Sequence, residues 1–200
     1  MDSVIRRLHR SELPIDTIEL AQYLIGKTLI HDLPRERLMG RIVETEAYPV
    51  NDPSGHAFRG PAEHIRSLYL PRGHAYVHLA YGTSYLLNIS SELAGIGAGV
   101  LLRALEPLNG IALMMRHRHA NRLVDLARGP GRLASAMGID KRYDGADLCA
   151  GGPLWLGGEA RGTSPIGRSE RIGITRAADR MLRFYERGNP FVSGPLRLRS

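Results

Sequence analysis

Short runs of alternating apolar and polar residues dominate this chain, and turn residues separate them. Asp16, with Glu19 three positions on, has the form of a capping box, and Gly26 offers a stop. The pattern therefore predicts a helix over Asp16–Ile25. Lys27–Asp32 and Met39–Tyr48 read as strands around a turn at Pro34. Gly73–Ala80 and Ser84–Ser90 are rich in Tyr, Val and Leu and flank the short loop Tyr81, Gly82, Thr83, which is a hairpin signal. Val100–Leu105 reads as a strand and Asn109–Arg118 as a helix. Gly129-Pro130-Gly131 opens a further short helix that Gly138 closes. Leu154–Leu156, Arg171–Ile174 and Leu182–Glu186 read as strands. Strands that cluster as hairpins, without regular alternation with helices, point to an α+β class. The expected architecture is one compact domain over residues 1–200, with a largely antiparallel, curved, barrel-like sheet, flanking short helices and a protruding hairpin.

Charge narrows the choice of partner. The 200 residues carry 27 Lys and Arg against 20 acids, for a net charge of +7. Such a surface favours a polyanion, with nucleic acid ahead of acidic lipid. All but Lys27 and Lys141 of these cations are arginines. Cys149 is the only cysteine, which excludes an internal disulfide, a cysteine-based zinc site and an iron–sulfur cluster. No apolar run nears the ~20 residues that span a bilayer, and Met1–Arg10 is charged, unlike a signal peptide. The expectation is a soluble, cytoplasmic monomer, nucleoid-associated in a bacterium, with no membrane contact.

Several residues invite chemistry. In Arg41-Ile-Val-Glu-Thr-Glu-Ala-Tyr48, strand alternation turns Ile42, Glu44, Glu46 and Tyr48 to one face. A carboxylate beside an aromatic ring can activate water against a stacked substrate. On spacing alone, an exposed charged strand whose tyrosine caps the core is the favoured reading. Tyr81 at the hairpin tip either projects toward a duplex groove or folds back on its own hairpin. Arg103, inside an apolar strand, needs a carboxylate, with Glu46 or Glu106 as candidates, and a structural ion pair would satisfy it equally. The histidine pairs His74/His78 and His117/His119 lack the companions of a metal site, so no metal is expected. Gly95–Gly99 precedes a strand, the wrong context for a dinucleotide, and reads as a flexible loop. The free amides at Gly131, with Arg132 beside them, suit a phosphate.

Taken together, Arg41–Tyr48, Tyr81-Gly82, Asn88–Ser91, Leu101–Pro107 and Gly129–Leu133 closely resemble the alkyladenine (3-methyladenine) DNA glycosylase family, in order and spacing. The ending Arg183-Phe184-Tyr185-x-Arg187-Gly188-x-Pro190 matches too, so the resemblance spans roughly Leu13 to Ser193. It implies a cofactor-free enzyme acting on damaged double-stranded DNA. By this resemblance Glu46 is the general base and Arg103 helps hold the attacking water, with the Ile172 carbonyl as a third contact. Tyr48, His56 and His78 enclose the flipped base, and His56 also offers it a backbone contact. Asn88 excludes undamaged guanine, and Tyr81 is the intercalating wedge. Arg116 and Arg132 are expected to meet DNA phosphates. Human-type members carry tyrosine where this chain has His78, and the Ser90–Gly99 loop is about two residues longer here by gap placement.

A glycosylase that also cuts the strand needs an amine for a Schiff base. Neither lysine falls in the matched motifs, so a monofunctional enzyme is expected. Two other classes fit the composition: a binding module for distorted DNA, which has no use for Glu46, and a hydrolase or transferase for a small anionic substrate, which needs no duplex.

Overall fold

A computed structural model describes residues 5–195. The start of the charged N-terminal stretch, Met1 to Val4, lies outside the described residues. The first helix, α1 (Thr17–Tyr23), begins where the capping pattern predicts: the Asp16 carboxylate accepts from the amides of Ile18 (2.8 Å) and Glu19 (2.9 Å). Then come β1 (Lys27–Asp32), β2 (Arg37–Tyr48), the hairpin β3 (Ala75–Ala80) and β4 (Ser84–Ser90), and β5 (Gly99–Asn109). Two helices follow, α2 (Ile111–Arg118) and α3 (Pro130–Ala136), the latter with its proline at the first helical position. The chain closes with β6 (Leu154–Glu159), β7 (Ile166–Ser169) and β8 (Arg183–Glu186).

Among the described residues every strand pairing is antiparallel, in the order β3-β4-β5-β2-β1-β6, with a branch in which β8 joins β2 and β7 joins β8. The α+β class and the antiparallel sheet hold. Closure does not: β3 and β6 end the main path without pairing to each other, so the expected barrel is an open, branched sheet. The branch point is β2. One edge pairs with β5 along its length, while the other pairs first with β1 (residues 37–41) and then with β8 (residues 44–46).

Helices α1, α2 and α3 cover one face through Leu20, Ala21, Met114, Leu133 and Ala134, packed with Leu29, Leu87, Leu102, Leu105 and Phe184 of the sheet. A smaller cluster of Val43, Ala104, Tyr185, Phe191 and Val192 is separate from this core. The Arg171–Ile174 segment is irregular, not a strand, and the sequence pattern missed β7, a four-residue edge element too short for a clear period. Gly95–Gly99 leads into β5 as an irregular loop, as expected, but it is tightly packed at one point. A Cβ at Gly97 would sit 2.5 Å from the Tyr69 ring.

Two glycines with left-handed backbone separate strain from crowding. Gly82 (φ +68°), in the β3–β4 turn, has open space around it, whereas a Cβ on Gly110 (φ +74°) would lie 2.7 Å from the Arg37 carbonyl oxygen. Gly82→Ala is expected to cost about 1–2 kcal/mol, and Gly110→Ala more, because a backbone oxygen cannot swing aside. Urea unfolding midpoints check the order, and equal losses would contradict it.

Candidate active site

The site is built around a defect in the sheet. Ile42 pairs with Leu105, Glu44 with Ala104 and Thr45 with Leu102, so Val43 on β2 and Arg103 on β5 are both skipped by the register. Bulges of this kind bend strands and re-aim side chains. Here the bulge moves Ile42 into the main core and away from Glu44, correcting the expected four-residue face. Beyond it the alternation resumes. Thr45 turns to α1, its hydroxyl donating to the Ala21 carbonyl (2.8 Å), while Glu44 and Glu46 both turn toward Arg103.

Glu46 has no solvent exposure. Its Oε1 meets the Ile172 amide (2.8 Å) and Arg103 Nη1 (3.2 Å), and its Oε2 accepts from the Tyr48 hydroxyl (3.0 Å). The Ile172 group that reaches the carboxylate is thus the amide. Arg103 also donates through Nε to Glu44 Oε1 (2.9 Å), a partner not foreseen. Glu106, the other expected candidate, instead faces Arg41 (3.5 Å) and Arg161 (2.7 Å). Burial, with the Glu46 carboxylate next in weight, pushes the Tyr48 phenol well above its ordinary range, so it remains a donor at neutral pH. The Arg171 guanidinium stacks 4.6 Å from the Tyr48 ring centre. It is held by the Ala47 carbonyl (3.0 Å) and the buried Asp52 carboxylate (2.8 Å). Arg171 thereby ties the segment carrying Ile172 to the end of β2.

A cavity of about 600 Å³ opens beside this cluster, lined by Tyr48, His56, Tyr76, His78, Asn88 and Arg103 among others. That is ample for a nucleobase and within the usual range of small-molecule sites. Glu46 does not line it directly. The three residues that grip Glu46, namely Tyr48, Arg103 and Ile172, form the intervening wall. His56, from the short turn Gly55–Arg59, meets the β3 residues Tyr76 and His78. Its Nδ1 shares a hydrogen bond with the Tyr76 hydroxyl (2.8 Å), and its ring abuts His78 edge-on at 4.5 Å between centres. Asn88, opposite Tyr76 in the hairpin register, points its amide nitrogen at the Tyr76 carbonyl (3.5 Å) and His78 Nδ1 (3.4 Å). Burial above all, then the proximity of His56 and Lys141, lowers the His78 pKa to about 4. Burial lowers that of His56 as well, with a smaller push from His64. Both rings are therefore neutral at pH 7.

Tyr81 is 90% exposed and adopts φ +52°, an unusual backbone for a bulky side chain. It stands at the cavity rim with the exposed Leu79, Phe58 and Ile172. Arg132 projects from the first turn of α3, near the cavity-lining Pro130, and approaches Asp125 (3.5 Å). Arg116 lies elsewhere: it faces Glu36 (3.8 Å), at the far end of β2 from Tyr48, and is not brought to the site. Residues that sequence reasoning missed include Tyr76, Glu44, Arg171, Asp52, Arg183 and Ser193. Tyr76 reads as an ordinary core aromatic of a strand. The Arg171–Asp52 pair spans 119 positions and has no local signal. Lys27 pairs with Glu159 (2.6 Å), and Lys141 with Asp144 (2.9 Å) and the Val77 carbonyl (3.0 Å); neither lines the cavity.

Comparison with known proteins agrees with this geometry. The family model described as methylpurine-DNA glycosylase (MPG) matches residues 11–190. A protein of Mesorhizobium japonicum described as a candidate 3-methyladenine DNA glycosylase is 62% identical over 93% of this chain and 89% of its own length. Its counterpart of the same description in Paraburkholderia phytofirmans is 54% identical over 96% of this chain and 90% of its own length. One from Methanoculleus marisnigri is 41% identical over 89% and 94% respectively. Buried carboxylate, base-sized cavity and sequence agree, and the chain belongs to the methylpurine-DNA glycosylase family of base-excision repair hydrolases.

Proposed function

We propose that this protein is a monofunctional DNA glycosylase: it draws a damaged purine out of the duplex into the cavity and hydrolyses the bond to deoxyribose with a water activated by Glu46. The observation that carries this reading is the Glu46 carboxylate, gripped by Arg103, Tyr48 and the Ile172 amide directly behind the cavity wall. Departure of a purine develops oxocarbenium character at the sugar. A carboxylate nearby both offsets that charge and takes the proton of the attacking water. Arg103 and Tyr48 fix its orientation, and burial excludes competing solvent. Tyr81 fills the gap left by the extruded nucleotide, and Asn88 rejects undamaged guanine at its exocyclic amine. Extrusion costs a few kcal/mol, least where pairing is already weak, which adds selectivity. Arg132 engages a flanking phosphate.

The expected substrates are 3-methyladenine, 7-methylguanine, hypoxanthine and ethenoadenine. Aromatic faces attract a cationic alkylated purine by about 0.5–2 kcal/mol. A charged histidine would cancel that attraction, but His78 is neutral at pH 7 for the reason given above.

Three tests follow from these assignments. Duplexes carrying one lesion each, treated with wild type and Glu46→Gln, should show excision falling by about 10²–10⁴-fold in the variant. Failure of the wild type to release any damaged base would sink the assignment, and an undiminished variant would favour a binding module or another base. Borohydride should trap no covalent enzyme–DNA adduct, since neither lysine reaches the cavity; a trapped adduct through Lys27 or Lys141 would overturn monofunctionality. Lastly, a His78 pKa near 4 means the rate ratio of a cationic lesion to neutral hypoxanthine stays flat from pH 8 down through the ordinary histidine range. The ratio drops only as acid approaches that depressed value and the ring gains a proton. An inflection near pH 6.5, the usual histidine value, would show a ring that charges freely.

A further inference from the structure

Arg103 lines the cavity and meets two carboxylates, Glu46 through Nη1 and a second one through Nε. That carboxylate, Glu44, is wholly buried and collects donors from three elements. Its Oε1 accepts from Arg103 Nε of β5 (2.9 Å), Arg183 Nε of β8 (2.6 Å) and the Ser193 hydroxyl (2.8 Å). Its Oε2 accepts from the Ser193 amide (2.6 Å). Arg183 in turn is held by the Ser169 hydroxyl (3.1 Å) and the Ser193 carbonyl (2.7 Å). Nothing about DNA binding requires this assembly, since Glu44, Arg183 and Ser193 do not line the cavity. Its chemistry is directed at Arg103.

We infer that Glu44 is a positioning residue for the glycosylase reaction: clamped by Arg183 and Ser193, it fixes the Arg103 guanidinium so that Nη1 faces Glu46 and balances that guanidinium's charge. The inference rests on the proposed role of Glu46. The physical case is one of charge count and geometry. Two carboxylates and two guanidiniums share a dry region, and each unpaired member would be costly there. Without Glu44, Arg103 has one anionic partner instead of two and is free to rotate about it. A misplacement of the order of 1 Å in a catalytic group can cost roughly 10²-fold in rate.

Groups facing Glu46 are Arg103 from β5, Tyr48 from its own strand and the Ile172 amide. Arg183 is its register partner on β8, and Arg171 lies behind Tyr48. Removing the Glu44 charge leaves this surrounding more positive, which favours the ionised Glu46. Removing the Arg183 charge does the opposite.

The test is a single-turnover excision profile against pH, on a lesion that wild type releases and Glu46→Gln does not. That control keeps a failure here distinct from a failure of the Glu46 assignment. Glu44→Gln should lower the plateau rate by about 10–100-fold, with lesion-DNA affinity nearly unchanged, and move the acidic limb down by roughly half a pH unit or more. Arg183→Gln should move the limb upward. A purely structural role would reduce the fraction of folded enzyme and leave the limb where it was. Ser193→Ala leaves every charge in place and removes one donor to Glu44, so it remains informative if the charge variants do not fold. It should slow excision several-fold with affinity retained. A folded Glu44→Gln enzyme with an unmoved acidic limb overturns the inference, and so does a Ser193→Ala enzyme as fast as wild type.

Discussion

A carboxylate with no access to bulk water must be held by partners, and Glu46 meets that constraint with three of them, one from its own strand and two from distant parts of the chain. The constraint explains the architecture around it. Arg103 comes from a bulge on β5, Tyr48 from the end of β2, and the Ile172 amide from an irregular segment tied down by Arg171 and Asp52. Breaking one side of a buried pair exposes the other to the full desolvation cost, typically 3–5 kcal/mol. The contacts that hold Glu46 are therefore part of what holds the sheet branch together.

Outside and inside are electrostatically different environments. The chain is strongly basic overall, which suits long-range attraction of a polyanion. The cavity walls contributed by His56, Tyr76 and His78 are neutral, because burial removes charge from both imidazoles. The two imidazoles thus add no positive charge against a cationic base, and the guanidinium of the lining residue Arg103 is paired with Glu44 and Glu46. His78 therefore contributes a ring edge to this wall without adding charge at neutral pH.

How much of this was legible beforehand follows from how locally each feature is encoded. β2 and the β3–β4 hairpin were readable because alternation and turn residues are adjacent in sequence. The bulge at Val43 and Arg103 was not, since a register shift belongs to a pair of strands and neither strand announces it alone. Arg103 plainly needed a carboxylate, with Glu46 and Glu106 as the candidates; the structure pairs it with Glu46 and with Glu44, which the sequence pattern did not single out. The roles of His56 and Asn88 came from family resemblance, not from any local pattern. Barrel closure was over-read: short antiparallel strands suggest curvature, but whether edges meet depends on strand order, and here β8 takes the place beside β2 instead.

The double pairing of β2 has a bearing on how the molecule comes apart. Residues 44–46 are bonded to β5 on one side and β8 on the other, so both edges must separate before this stretch can loosen. Local openings begin where the backbone is exposed and sparsely packed, which describes the hairpin tip at Tyr81 and not the strand bearing Glu46. The hairpin tip can therefore open without disturbing the strand that bears Glu46, which stays anchored along both edges.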